Sequence, residues 1–232
     1  MIAVTVLTTV VVGFKPRWFC VPHCYIAFSP ASRMSPADGG EQVAQIATLL
    51  FIPLCLGDAR TWHWQEPSGP IAPSHRGSAY AALLVLRCQV AVVYLEAALS
   101  KLAYPSWRNG TAVPILLDDP EFGLPSALRP GVVRLLARGW PSTVVTWGTM
   151  VVELAICICV LPGPRARRCA LMLTVLLHSA IAVAMGLMSF GLTMIATVLA
   201  ATARPPRAEP TAPEPATIHG HRPEQERALH VS

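Results

Sequence analysis

Charge is scarce in this chain, and lysine is almost absent. Only 13% of its 232 residues are charged against 53% hydrophobic, and Lys15 and Lys101 are the sole lysines among eighteen Lys and Arg. With a mean hydropathy of +0.48, this composition excludes an ordinary soluble domain and reads as a multi-pass membrane protein. Aromatic residues reach only 7%, with no basic and aromatic pattern of the kind nucleic acid requires, so no nucleic-acid partner is expected. The formal charge of +5 comes mainly from arginines between and after the apolar runs, which points to anchoring in the lipid bilayer.

Seven cysteines, an odd number placed mostly inside apolar runs, exclude a secreted disulfide framework. Cys55, Cys88, Cys157, Cys159 and Cys169 are expected to be small buried apolar residues. Cys20 and Cys24 flank His23 in CVPHC, either as two more such residues or as a redox or metal pair, although the spacing is not CxxC. His63 lacks a second ligand at a recognisable spacing and reads as interfacial. No metal site is expected. Trp18, Trp62, Trp64, Trp107 and Trp140 stand where apolar runs begin or end, as an interfacial belt does.

What is present is an apolar run that carries charges. Residues 79–113 (AYAALLVLRCQVAVVYLEAALSKLAYPSWRNGTAV) hold Arg87, Gln89, Glu96 and Lys101 on a helix of membrane length. Each ionisable group near a bilayer centre costs roughly 2.5–3.5 kcal/mol, so these need partners, water or the interface. At about 100° per residue Arg87, Tyr94 and Lys101 form one stripe, with Ala91 and Ala98 in the gaps where a helix or a flat ligand can approach. Gln89 and Glu96 lie nearly opposite, as expected of a helix inside a bundle. Lys101 has two readings: a lysine snorkelling to the headgroups, or one held in a dry pocket where desolvation makes it a usable base.

The rest of the chain frames that helix. Residues 1–14 read as a short apolar segment, and residues 15–37, with Pro16, Pro22, Pro30 and Pro36, as a loop. Asp38 and Glu41 resemble a capping box opening an apolar helix over 43–56 that Pro53 kinks. Residues 65–77 read as a linker, and residues 104–140 as a long loop with a short amphipathic helix over 127–138. Asp118 and Asp119 read as a solvated turn. A span over 141–161 carries Glu153, whose partner is expected to be Arg87 or Lys101. The turn 162–168 carries Arg165, Arg167 and Arg168 and is expected on the cytoplasmic side. Residues 169–202 are too long for one upright span, and the natural break is GLMSFG at 186–191. Three regions follow: 1–37, a bundle over 38–202, and a polar tail over 203–232 expected to be disordered. The fold class is all-α, a polytopic membrane bundle of about five to six spans.

The run YLEAALSKLAYPSWRNGTAV resembles the Y-x-x-A-G-x-x-K-L-x-x-x-W-x-x-G-x-A pattern of the HTTM domain, the membrane domain of vitamin K-dependent gamma-carboxylases and many bacterial proteins. DGGEQVAQIATLLFIPLCLGDARTWHW looks like its sporulation-delaying protein B branch, associated with antimicrobial peptides, and GLMSFGLTMIA resembles the last segment of the domain. The resemblance spans about residues 38–200. For carboxylases it implies that the lysine matching Lys101 deprotonates a reduced quinone, with Tyr94, Trp107 and Gly110 as companions. Ala98 replaces a motif glycine, and no large extramembrane domain is expected after the bundle, so the antimicrobial-peptide branch is the nearer likeness.

Three functions are therefore expected to compete. One is a cell-membrane protein that matures or exports a secreted peptide with a partner maturation protein. Another is an enzyme with Lys101 and Tyr94 at its centre and a reduced quinone between Tyr94 and the alanine stripe. The last is a non-catalytic subunit in which Arg87, Glu96 and Glu153 pair to hold the bundle.

Overall fold

The computed structural model describes residues 1–29, 39–66, 72–136 and 139–204, and among them every regular element is a helix. Asp38 and the tail beyond Arg204 lie outside the described residues, so the capping box and the disordered tail do too.

Proline sets where many of these helices start. Pro16, Pro73, Pro105, Pro141 and Pro164 each sit in the first two helical positions, where the missing N–H removes no helix bond and the fixed φ suits the turn. The elements are α1 (Ile2–Val12), α2 (Pro16–Phe28), α3 (Gly39–Leu56), α4 (Pro73–Lys101), α5 (Pro105–Arg108), α6 (Ala112–Asp118), α7 (Arg129–Leu136), α8 (Trp140–Val160), α9 (Pro164–Met185) and α10 (Met188–Ala201).

Among the described residues four helices, α3, α4, α8 and α9, are long and apolar enough to cross a membrane, and α1 and α10 are shorter apolar helices. The architecture is the expected all-α bundle. α4 packs on α8 and α3, α8 on α9, and α9 on α10, which returns against α3 and α4. The shared core includes Leu86, Val90, Tyr94, Ile156, Val160 and Val198. α9 ends at Gly186 in the left-handed region (φ 71), so the break falls inside the expected GLMSFG.

Several local expectations fail, and prolines explain most of them. The loop expected over 15–37 is helical over Pro16–Phe28, because Pro16 starts a helix whose Cys20 and Cys24 are buried, leaving Pro22 as its only interior proline. The linker expected over 65–77 gives way to α4 at Pro73. The long loop over 104–140 contains α5 and α6 as well as α7, the last close to the expected amphipathic helix.

The cysteine expectation also fails in part. Cys88 and Cys169 are exposed and Cys55, Cys157 and Cys159 half-buried, while Cys20 and Cys24 are buried, and all are free thiols. A lipid-facing surface is as apolar as the core, so an apolar cysteine does not mark the inside.

Candidate functional site

Lys101 is the last residue of α4, and its amine turns back along the helix toward α8. Nζ donates to the Ala97 carbonyl at 3.0 Å and to both Glu153 oxygens, Oε1 at 2.6 Å and Oε2 at 2.9 Å. Nζ also stands 5.2 Å from the centroid of the Trp107 ring. Three N–H donors meet three oxygen acceptors, the arrangement of an ammonium beside a carboxylate. The side chains are 21% and 8% exposed, so the two charges are paired and largely sheltered between helices. Of the two partners expected for Glu153, the structure gives Lys101.

Two turns earlier on the same stripe, Tyr94 is buried in the core. Its hydroxyl lies 2.8 Å from His178 Nε2 on α9, and which of them donates depends on the imidazole tautomer. His178 is 3% exposed and packs edge-to-face on Phe190 of α10 at 5.2 Å. Its other ring nitrogen, Nδ1, is buried without a hydrogen-bond partner among the described residues. Gly191 makes this packing possible, since a Cβ there would sit 3.0 Å from the His178 carbonyl oxygen.

Both couples border one cavity of about 490 Å³. That size is within the range of about 300–1,000 Å³ typical of small-ligand sites. Its wall is chiefly apolar, with Val93, Leu117, Leu177, Ile181 and Met194 among the lining residues. The polar groups on it include Tyr94, Glu96, Lys101, Thr149, Glu153 and His178, with Trp107 beside Lys101. Glu96 is exposed and has no hydrogen bond or ion pair among the described residues.

The cavity thus gathers Tyr94, Glu96, Lys101, Trp107 and Glu153 from the sequence candidates. Arg87 and Gly110 stand apart from it. Arg87 is buried at the other end of α4's polar stripe, donating from Nε to the Ala201 carbonyl at 3.0 Å and from Nη2 to that of Ala203 at 2.8 Å. It caps the C-terminus of α10, where carbonyls lack helical partners, so the expected pairing of Arg87 with Glu153 or Glu96 does not form.

Gly110 is a structural hinge. Its φ is +72°, its carbonyl accepts the Ser142 hydroxyl at 2.6 Å, and a Cβ would meet Thr143 Cα at 2.9 Å. It fixes the α5–α6 link against α8 and so places Trp107.

The alanine stripe is packing too. Ala91 and Ala98 are buried and absent from the cavity wall, where α4 shows Val93 and Ala97 instead.

The remaining candidates have structural roles. Asp119 Oδ1 accepts the amides of Glu121 and Phe122 at 2.8 and 2.9 Å, closing a turn. The Phe122 and Glu121 bonds hold its carboxyl below the usual carboxylate range. His63 donates its backbone N–H to Gly13 and its ring packs on Trp64. No group of three potential metal ligands occurs among the described residues.

His178 was not a site candidate from sequence. The signal was there, since it is the only titratable side chain of the apolar stretch 170–202, and an ionisable residue inside a membrane helix is a functional hypothesis by default.

No family model matches the chain, so the HTTM likeness remains a resemblance. No solved structure matches it either. Among curated proteins it is similar to two from Bacillus subtilis (strain 168). The Sporulation-delaying protein SdpB is 32% identical over 195 residues, 84% of this chain, and the Uncharacterized protein YitO is 31% identical over 194 residues, 83% of this chain. The chain spans 60% of the length of SdpB and 62% of that of YitO. This relationship and the four membrane-length helices make the chain a multi-pass membrane protein whose surroundings are a lipid bilayer.

Proposed function

We propose that this chain belongs to the sporulation-delaying protein B family and that, in the cell membrane, it helps to mature or export a secreted antimicrobial peptide together with a partner maturation protein. The observation that carries the reading is the cavity, whose apolar wall is interrupted by the Lys101–Glu153 and Tyr94–His178 couples. An apolar peptide segment leaves water for such a wall, and its few polar atoms find fixed partners there. Similarity to SdpB over most of the chain supports the family.

In this reading Lys101 and Glu153 form the polar end of the binding site. The pair offers an ammonium and a carboxylate side by side, which suits contact with a substrate's carbonyl or amide group.

The test is co-expression of a candidate secreted peptide with the wild-type protein or with Lys101→Ala. Mature toxin is expected to fall about tenfold, the effect of losing roughly 1.4 kcal/mol of interaction. Equal yields, with the variant present in the membrane at wild-type level, remove the role given to the lysine.

A further inference from the structure

Two helices each turn one face to the cavity. Its lining residues recur at every fourth position, as Val93, Ala97 and Lys101 on α4 and as Val145, Thr149 and Glu153 on α8. A spacing of four keeps side chains on one side of a helix, so the polar members of both sets belong to the inner faces.

The hydrogen-bond inventory of these faces is one-sided. All three Lys101 N–H groups are committed, to the Ala97 carbonyl and to both oxygens of Glu153. The Thr149 hydroxyl gives its only hydrogen to the Val145 carbonyl at 2.9 Å. What is left is acceptor capacity: a lone pair on each Glu153 oxygen and those of Thr149 Oγ1, with no other partner among the described residues. A ligand carbonyl must displace a bond of Lys101 to be met on these faces, whereas a ligand N–H is met as they stand.

Spacing narrows the ligand further. Thr149 and Glu153 are four residues apart, about 6 Å of helix rise. In an extended peptide the N–H groups of alternate residues point to one side, about 6.8 Å apart. In a helical peptide those groups are consumed internally.

We propose that the cavity binds an extended apolar peptide segment by its backbone, with the N–H groups of alternate residues donating to Glu153 and Thr149. This deepens the peptide reading above and rests on it, naming the conformation of the segment and the atoms that hold it. Thr149 is then a specificity-determining residue.

The full chain in phosphatidylcholine nanodiscs is titrated with tritiated N-acetyl-trileucine amide, and binding to empty nanodiscs is subtracted. Two analogues are compared, one N-methylated at the first and third leucine and one at the second alone. The doubly methylated probe, which keeps every carbonyl but loses the alternate pair of donors, is expected to bind about tenfold more weakly than the parent. The centrally methylated probe is expected to bind like the parent. Thr149→Val keeps the shape of the side chain, is expected to fold as the wild type, and is expected to cut the parent's advantage about threefold. Lys101→Met combined with Glu153→Leu is expected to abolish it, and if that variant does not fold, Thr149→Val decides alone. No binding of any probe, a central methyl as costly as the outer pair, or an advantage unchanged in either variant overturns the proposal. Because binding is read without toxin, a normal toxin yield in Lys101→Ala sinks the peptide role alone, and a missing N–H preference sinks this inference alone.

Discussion

The two ends of the polar stripe on α4 solve the same problem in opposite ways. Arg87 and Lys101 are both cations on an apolar helix, and each sits where a bare charge is too costly to keep. Arg87 is answered by backbone, the carbonyls of Ala201 and Ala203 at the end of α10. Lys101 is answered by a side chain, Glu153, beside an open cavity.

A guanidinium never gives up its proton and spans two carbonyls with a rigid fork, so the Arg87 end is a fixed joint. An ammonium on a flexible stem is a point charge whose three donors can be redirected, and here it borders the cavity. Charge in a membrane helix is thus not one signal: its meaning depends on whether backbone or side chain compensates it.

The largest expected effect comes from breaking the Lys101 end. Glu153→Ala leaves a sheltered ammonium unpaired and is expected to cost about 3 kcal/mol. This is read as a lowered midpoint of thermal unfolding in nanodiscs, and Lys101→Met with Glu153→Leu is expected to recover most of it. A single variant as stable as the wild type means that water already solvates the pair.

Breaking the Arg87 end comes next. Arg87→Lys keeps the charge but loses the fork, and a cost of about 2 kcal/mol is expected from the charged hydrogen bonds that go with it. Hydrogen exchange is expected to quicken at the end of α10 and not around Lys101. Equal exchange in both places denies that the two ends are separate.

Gly110→Ala sharpens the same contrast from the loop side. It combines a left-handed φ with a Cβ against Thr143 backbone, and about 1–2 kcal/mol of destabilisation is expected. The change is expected to disturb Trp107 fluorescence while leaving exchange at the end of α10 alone.

The smallest effect lies outside the membrane. Asp119 is held below the usual carboxylate range by amides of Phe122 and Glu121, so its contribution is whole above the unfolded value of about 4. It is lost as pH falls through the lower folded value. Protection of those two amides is expected to decline only in that acid window, with the Lys101 end unchanged. Constant protection down to strong acid removes the carboxylate from the turn.

Much of this was legible in the residues. The apolar runs at 43–56, 79–101, 141–161 and 169–202 correspond to helices, and the glycines at 186 and 191 marked the fold-back. Proline was the misleading residue. Pro16 belongs to an expected loop and Pro73 and Pro105 fall within the expected linker and long loop, yet each begins a helix.

At the site, seven-residue spacing put Arg87, Tyr94 and Lys101 on one face, which is local information. It could not say that Glu153 meets Lys101 in preference to Arg87, because that depends on how α8 lies along α4. His178 was hidden for the same reason: its importance comes from meeting Tyr94, 84 positions away. The alanines left two readings open, since small residues on a stripe serve helix packing as readily as ligand approach, and Ala91 and Ala98 are buried in packing.

The fold-back after α9 has a mechanical consequence. α10 is only 14 residues, about 21 Å of helix. Near its beginning Gly191 is pressed against the backbone of His178, and its far end is gripped by Arg87. A short rod held at both tips transmits displacement without absorbing it. A displacement of the imidazole is therefore expected to reach the Arg87 end of α10, and a displacement there to reach the cavity.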